Sequence, residues 1–200
     1  FPANSPFMIE SKSFKLYLNS MNHLSFSSTQ ILQKLLEKDL SEASGALVSI
    51  DICSLSSEQN LIVEGASESI CIDDLEVADF EYQPNPNLLS VEPGSNKVNE
   101  LLCSNLLRSN CPVTGQPDWG SIYISYSGQA IKHESLLRYI VSFRQCQDFH
   151  EHCVERIFTD LLAHCECDSL SVYARYTRRG GLDINPYRAS PDLPITAPLI

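Results

Sequence analysis

The sequence predicts an α+β fold in which antiparallel sheets are backed by amphipathic helices, arranged as two related modules. Three observations carry this. Runs such as "SIYISY" (Ser121–Tyr126) have the apolar alternation of strands. Two stretches have helical apolar spacing: Ile31, Leu32, Leu35, Leu36 and Leu40, then Val154, Ile157, Phe158, Leu161 and Leu162. The order strand, aromatic, amphipathic helix, strand also occurs twice. "LYLNS", Phe26, a helix and "LVSIDI" are echoed by "RYIVS", Phe149, a helix and "LSVYARY".

Along the chain, "SFKLYLNS" (Ser13–Ser20) reads as a strand. The helix over Ser27–Ser44 has Ser28 as its N-cap. "GALVSIDICSL" and "LIVEGASESICID" read as two further strands. From Asp73 to Lys97 periodicity fades, and "YQPNPNLLSVEPGSN" is rich in Pro and Asn, which marks a linker. The expected organisation is a first module over residues 1–75, a linker over 76–97, and a second module over 98–200. "VNELLCSNLLRSNC" suits a strand or a short helix, with strand favoured because strand-like runs come after it; "GSIYISYSGQ" and "LLRYIVSF" read as strands. "DFHEHCVERIFTDLLAHC" is a helix whose Asp148 and Glu151 fit a capping box, and "SLSVYARYT" is a closing strand.

The 43% of hydrophobic residues is enough for a buried core. A formal net charge of −11 disfavours binding to nucleic acid. No apolar run reaches the length of a membrane span, so no membrane partner is expected. The start, "FPANSPFMIE", lacks a signal-peptide pattern and an initiating Met, which is the mark of a processed, trimmed or fragmentary chain. Without a secretion signal, the eight cysteines read as thiols of a reducing cytoplasm, with Cys53 and Cys71 as small strand hydrophobes.

Several clusters bear chemistry. In "SNCPVTGQPDWGS" (Ser109–Ser121) a thiol, Cys111, and a carboxylate, Asp118, share one loop pinned by Pro112, Gly115 and Pro117. That is an ordinary turn, or a nucleophile with a proton donor or acceptor beside it. Glu151 shares a helical face with Val154, Phe158 and Leu162, which places a carboxylate at the head of a buried stripe. Such a group needs a partner, and an N–H-bearing ligand is one candidate; helix capping is the other. "HEHC" and "AHCEC" match neither CxxC pairing nor HExxH spacing, so no metal is expected. "ESKSFK" (Glu10–Lys15) is a solvated edge or a polar cluster for a phosphate or heterocycle. Arg175, Arg178 and Arg179 beside Gly180 and Gly181 suit a solvated turn or capture of an anion.

Taken together, "ESKSFKLYLNS", "CPVTGQPDWGS", "FHEHCVERI" and "YTRRGGLDINP" resemble the 7-cyano-7-deazaguanine reductases, the NADPH-dependent nitrile reductases of queuosine biosynthesis, from Ile9 to about Arg188. The resemblance implies tandem tunnelling-fold modules, a cytoplasmic homodimer or higher homo-oligomer, and reduction of a deazapurine nitrile to a primary amine with two NADPH per turnover. It implies Cys111 as nucleophile and Asp118 as proton donor. It places Ile9, Glu10, Ser11, His150 and Glu151 at the substrate, and Ser11, Lys12, Arg179 and Gly180 at NADPH. The family's two-module form has further sequence before the point where this chain starts, so an incomplete first module is expected. Two other functions share some of these features: a pterin or purine enzyme of another reaction type, such as a cyclohydrolase, and a non-catalytic purine-binding module.

Overall fold

The computed structural model describes residues 1–54 and 68–191. The chain falls into two compact units, Phe1–Asn60 with Gly180–Leu182, and Leu61–Arg179 with Asp183–Ile200. The first unit holds two helices, α1 (Ser11–Ser20) and α2 (Thr29–Ser44). In the second, β1 (Ile70–Cys71), β2 (Lys97–Asn110), β3 (Pro117–Gln129), α3 (His133–Ser142), α4 (His150–His164), β4 (Cys167–Tyr176) and β5 (Tyr187–Ala189) form one sheet with two helices. Strand order follows chain order, β1-β2-β3-β4-β5; β1 runs parallel to β2 and the other pairs are antiparallel. This is the α+β architecture expected from the sequence, an antiparallel sheet backed by helices.

The sheet follows from period-two patterning. On β3, Ile122, Ile124 and Tyr126 are buried, and on β4 Leu170, Val172 and Ala174. They meet Leu136, Leu137 and Ile140 of α3 and Val154, Ile157, Phe158 and Leu161 of α4 in one core. The opposite face carries Ser121, Tyr123 and Ser125, and Tyr123 stacks on Tyr173 with ring centroids 6.2 Å apart.

Strand β2 breaks its alternation once, and that break aims the site. Its pairing with β3 shifts between Ser104 and Leu107. Leu102 and Ser104 face the core before the shift, and Leu107 and Ser109 face it afterwards. Asp73 holds this bulge: its carboxylate accepts hydrogen bonds from Ser104 Oγ (2.6 Å), Asn105 N (2.9 Å) and Asn105 Nδ2 (3.0 Å). Asp73→Ala is expected to cost about 1–3 kcal/mol, because it strands a buried hydroxyl and a backbone N–H. Chemical denaturation with a two-state fit measures this.

Two expected strands are helices. "SFKLYLNS" lies within α1, and "LLRYIVSF" lies in α3 and the 3₁₀ turn after it. In the first, Phe14, Leu16 and Leu18 mimic alternation. The spacing in use is Phe14, Tyr17, Leu18 and Met21, which pack on the first unit's core while Leu16 is 59% exposed. In the second, Leu136, Leu137, Tyr139, Ile140 and Val141 are all buried, and a short run apolar on every side carries no period to read. The duplicated order is therefore helix, aromatic, helix. Ser28 does cap α2, its hydroxyl accepting from the Ile31 N–H at 3.4 Å, and Leu36 and Leu40 are buried, but Ile31 is exposed.

Residues 45–54 form no strand either. Val48 is buried while Leu47 is exposed, so the alternation is present without a ladder; the Val48 N–H bonds to Ser41 Oγ instead (2.9 Å). Of "LIVEGASESICID", residues 61–67 lie outside the described residues, and Ile70–Cys71 alone form a strand. Cys53 and Cys71 are exposed rather than packed. Cys71, Cys103, Cys111, Cys146, Cys153, Cys165 and Cys167 are free thiols. Where a linker was expected, Val77, Phe80, Leu88 and Val91 pack on the sheet's core and Leu89 belongs to it, contacts made by a single 3₁₀ turn (Pro86–Leu88), an isolated bridge at Val91 and irregular chain, too short to show a period. Among the described residues no helix is long and apolar enough to cross a membrane.

Candidate active site

The site is built at the tip of the β2–β3 hairpin. The turn from Cys111 to Gln116 is closed by two backbone hydrogen bonds, Cys111 N–H to Gln116 O and Gly115 N–H to Cys111 O, both 2.8 Å. Gly115 has φ of 69°, a left-handed conformation that glycine adopts without strain. Proline at 112 and 117 narrows the backbone freedom on both sides.

The turn wraps the Cys111 sulfur in donors. Burial on its own raises the thiol pKa. The Thr114 hydroxyl, the N–H groups of Thr114 and Val113 and the Arg179 guanidinium outweigh it, and the thiol sits below its ordinary value. These donors favour the thiolate over the thiol. Thr114→Val removes the hydroxyl, so the pH midpoint for alkylation by iodoacetamide is expected to move upward. A profile that does not move would leave Thr114 with no part in activating the thiol.

Asp118, the second residue of β3, pairs in register with Ser109 and is only 3% exposed. Its Oδ1 is 3.0 Å from Arg179 NH1 and 3.4 Å from His150 Nε2. Arg179 also donates from NH2 to Gln116 Oε1 at 2.7 Å. One guanidinium thus links the nucleophile candidate, the turn and the acid. Thr177 N–H to Trp119 O (2.8 Å) ties the end of β4, which leads into Arg179, to the hairpin.

Helix α4 starts beside this hairpin because its lead-in pairs with the end of β2. The Asn110 N–H donates to Cys146 O (2.8 Å), and the Asp148 N–H donates to Asn110 O (3.2 Å). His150 is buried, its ring edge-on to Tyr176 with centroids 4.2 Å apart. Burial lowers its pKa, and Arg179 adds to this; the charges of Asp118 and Glu151 and the hydrogen bond to Asp118 oppose it, and the net shift is downward. Burial therefore favours the neutral form of the His150 ring beside Asp118.

Helix α4 departs from expectation in two ways. Asp148 and Glu151 form no capping box: the helix N-cap is Phe149, and the Asp148 carboxylate accepts from the Phe149 N–H (2.9 Å) and contacts His152 Nδ1 (2.9 Å). The chain enters α4 one residue later than the motif requires. The buried stripe of α4 is His150, Cys153, Val154, Ile157, Phe158 and Leu161, so it is headed by His150; Glu151 stands half-buried at its edge and Leu162 is exposed. No hydrogen bond or ion pair reaches the Glu151 carboxylate from the described residues. Capping does not use it.

The structure thus brings together Cys111, Asp118, His150, Glu151 and Arg179 on the second unit. Ile9, Glu10, Ser11, Lys12 and Gly180 belong to the first. There Glu10 caps α1, accepting from Lys12 N (2.8 Å), Ser13 N (2.9 Å) and Ser13 Oγ (3.1 Å). The amides of Lys12 and Ser13 lower its pKa. Ile9 packs beneath the two helices, Ser11 and Lys12 are exposed, and Lys15 lies against Gly180. Of the arginine cluster, Arg178 is paired with Asp183 at 2.6 Å and Arg175 is exposed on β4. Among the described residues no three His, Cys, Asp or Glu side chains group as a metal site. Thr114, Gln116 and Tyr176 were not anticipated; Thr114, three residues past the cysteine inside the same loop, was the legible signal.

Fold and site together define an α+β protein with an activated thiol and a buried acid on one hairpin. A family described as "QueF-like protein" matches residues 117–193, and one described as "Nitrile reductase, 7-cyano-7-deazaguanine-reductase N-term" matches residues 1–52. A protein of Bordetella avium named NADPH-dependent 7-cyano-7-deazaguanine reductase is 54% identical over 94% of this chain and 68% of its own length. One of the same name from Cupriavidus metallidurans is 51% identical over 96% of this chain and 69% of its own. A crystal structure of the apo archaeosine synthase QueF-Like aligns with a TM-score of 0.43 and 16% identity, covering 50% of this chain and 99% of that one. The chain belongs to the NADPH-dependent 7-cyano-7-deazaguanine reductase family.

Proposed function

We propose that the protein reduces the nitrile of 7-cyano-7-deazaguanine to the primary amine of 7-aminomethyl-7-deazaguanine, consuming two NADPH, in the supply of queuosine for tRNA. The observation that supports it most is the hairpin itself, a thiol of lowered pKa and a buried carboxylate joined by one guanidinium. A turn with a merely structural role has no need of donors aimed at a sulfur.

In this reading the Cys111 thiolate attacks the nitrile carbon. A C–S bond forms, one π pair moves to nitrogen, and Asp118, having taken the proton of the Cys111 thiol, passes it to that nitrogen, giving a covalent thioimidate. NADPH supplies the hydride for each of the two reductions that four electrons require. Breaking the C–S bond returns Cys111 and leaves an imine for the second reduction. Glu151, with no partner among the described residues, accepts from the N–H edge of the deazaguanine ring, and His150 stands beside Asp118.

Family likeness carries Ile9, Glu10 and Ser11 to the substrate as well, and Ser11, Lys12, Arg179 and Gly180 to the cofactor. Gly180 and Gly181, with φ of 56° and 87°, suit a turn whose N–H groups face an anion. Arg179 has its guanidinium on Asp118 and Gln116, so a cofactor phosphate there competes with a carboxylate. Nitrile-dependent NADPH oxidation tests the reading: the wild-type protein consumes two NADPH per amine formed, and no consumption above the nitrile-free rate would end it. A cytoplasmic homo-oligomer belongs to the same proposal, and light scattering after gel filtration gives the subunit number.

A further inference from the structure

Outside this site, two guanidiniums stand over one indole. Arg108 on β2 pairs in register with Trp119 on β3, and its guanidinium carbon is 5.6 Å from the indole centroid. Arg144, in the 3₁₀ turn after α3, lies 5.9 Å from the same centroid. Asn110 fixes both: its Oδ1 accepts from Arg108 NH2 and its Nδ2 donates to the Arg144 carbonyl, each at 3.1 Å. Trp119 remains 40% exposed.

These cations have an indole and Asn110 beside them where other arginines have a carboxylate. Arg156, Arg178, Arg179 and Arg188 each pair with a carboxylate. Among the described residues neither Arg108 nor Arg144 does, and the Nε of each is buried without a hydrogen-bond partner. The chain has 25 acidic against 14 basic residues, so acids to neutralise them are plentiful. Holding two like charges together over one ring is unfavourable unless an anion comes to them. A guanidinium fork matches phosphate in shape and charge. Trp119 is exposed enough to meet the base that such a phosphate carries.

We propose that Arg108, Trp119 and Arg144 form a nucleotide phosphate site that takes the adenosine 2′-phosphate end of NADPH. The assignment rests on the proposed reduction, which requires that anionic co-substrate. Cys111 lies three residues beyond Arg108 along the same hairpin, about 10 Å at strand rise. That is within the span of a dinucleotide.

Trp119 is the one tryptophan of the chain, so its fluorescence reports on this place alone. Adenosine 2′,5′-diphosphate is expected to change that emission saturably and to bind at least tenfold more tightly than 5′-AMP. R108Q and R144Q are each expected to weaken it by tenfold or more, while R108K and R144K, which keep the charge, weaken it less. Equal affinity of wild type for the two nucleotides overturns the site without recourse to any variant. So does wild-type affinity in both glutamine variants. Saturable binding of the diphosphate by a protein that forms no nitrile adduct would leave this site standing and remove the reduction.

Discussion

Cys111→Ala is expected to lower nitrile-dependent NADPH oxidation by roughly a thousandfold or more, with little change in stability. A nitrile carbon accepts hydride poorly, and covalent addition is what makes it a better acceptor. Alanine has nothing to add. The protein should still fold, because Cys111 is bound into its turn by backbone hydrogen bonds, which alanine keeps. Cys111→Ser is the sterner comparison. It preserves size and polarity, but a serine hydroxyl is far less acidic than a thiol, and the donors that lower the thiol pKa cannot bring it into range. Its activity should match that of the alanine variant. Steady-state assays with unfolding curves for both variants check this.

Asp118→Asn is expected to lower kcat by about 10²–10⁴-fold, the usual contribution of a positioned proton donor. Asparagine fits the same buried volume on β3 but delivers no proton to the developing nitrogen anion. It also leaves Arg179 with Gln116 and the Cys111 thiol as its remaining side-chain partners in this network. The thiol, however, keeps the Thr114 and Val113 donors. Alkylation of Cys111 at neutral pH should therefore survive in Asp118→Asn while turnover collapses. If alkylation collapsed as well, Asp118 would be acting through the thiol rather than on the nitrile.

Cys111, Asp118 and the turn residues between them lie within eight positions, so the loop was legible as either a turn or a thiol beside an acid, and the family resemblance is what gave the two residues roles. Arg179, expected at NADPH, instead binds a carboxylate and a glutamine of the hairpin. Its partners come from a distant strand, which no local pattern encodes. Strands β3 and β4 were plain because one face is buried and the other is not. Helix α3 was missed because it is buried nearly all round, and α1 because Leu16 happens to complete an alternation with Phe14 and Leu18. Glu10 shows the same limit at one residue: its carboxylate caps a helix where a strand was expected. The bulge in β2 depends on Asp73, some thirty residues earlier in the chain, and it sets which residues of the hairpin face inward.

The central claim is that Cys111 forms a covalent bond to the substrate nitrile. Incubating the protein with 7-cyano-7-deazaguanine in the absence of NADPH and measuring its intact mass tests this directly. Addition of a thiol across a nitrile loses no atoms, so the wild-type protein should gain the full mass of one substrate molecule, and Cys111→Ala should gain none. No added mass on the wild type, or the same added mass on Cys111→Ala, would contradict the account.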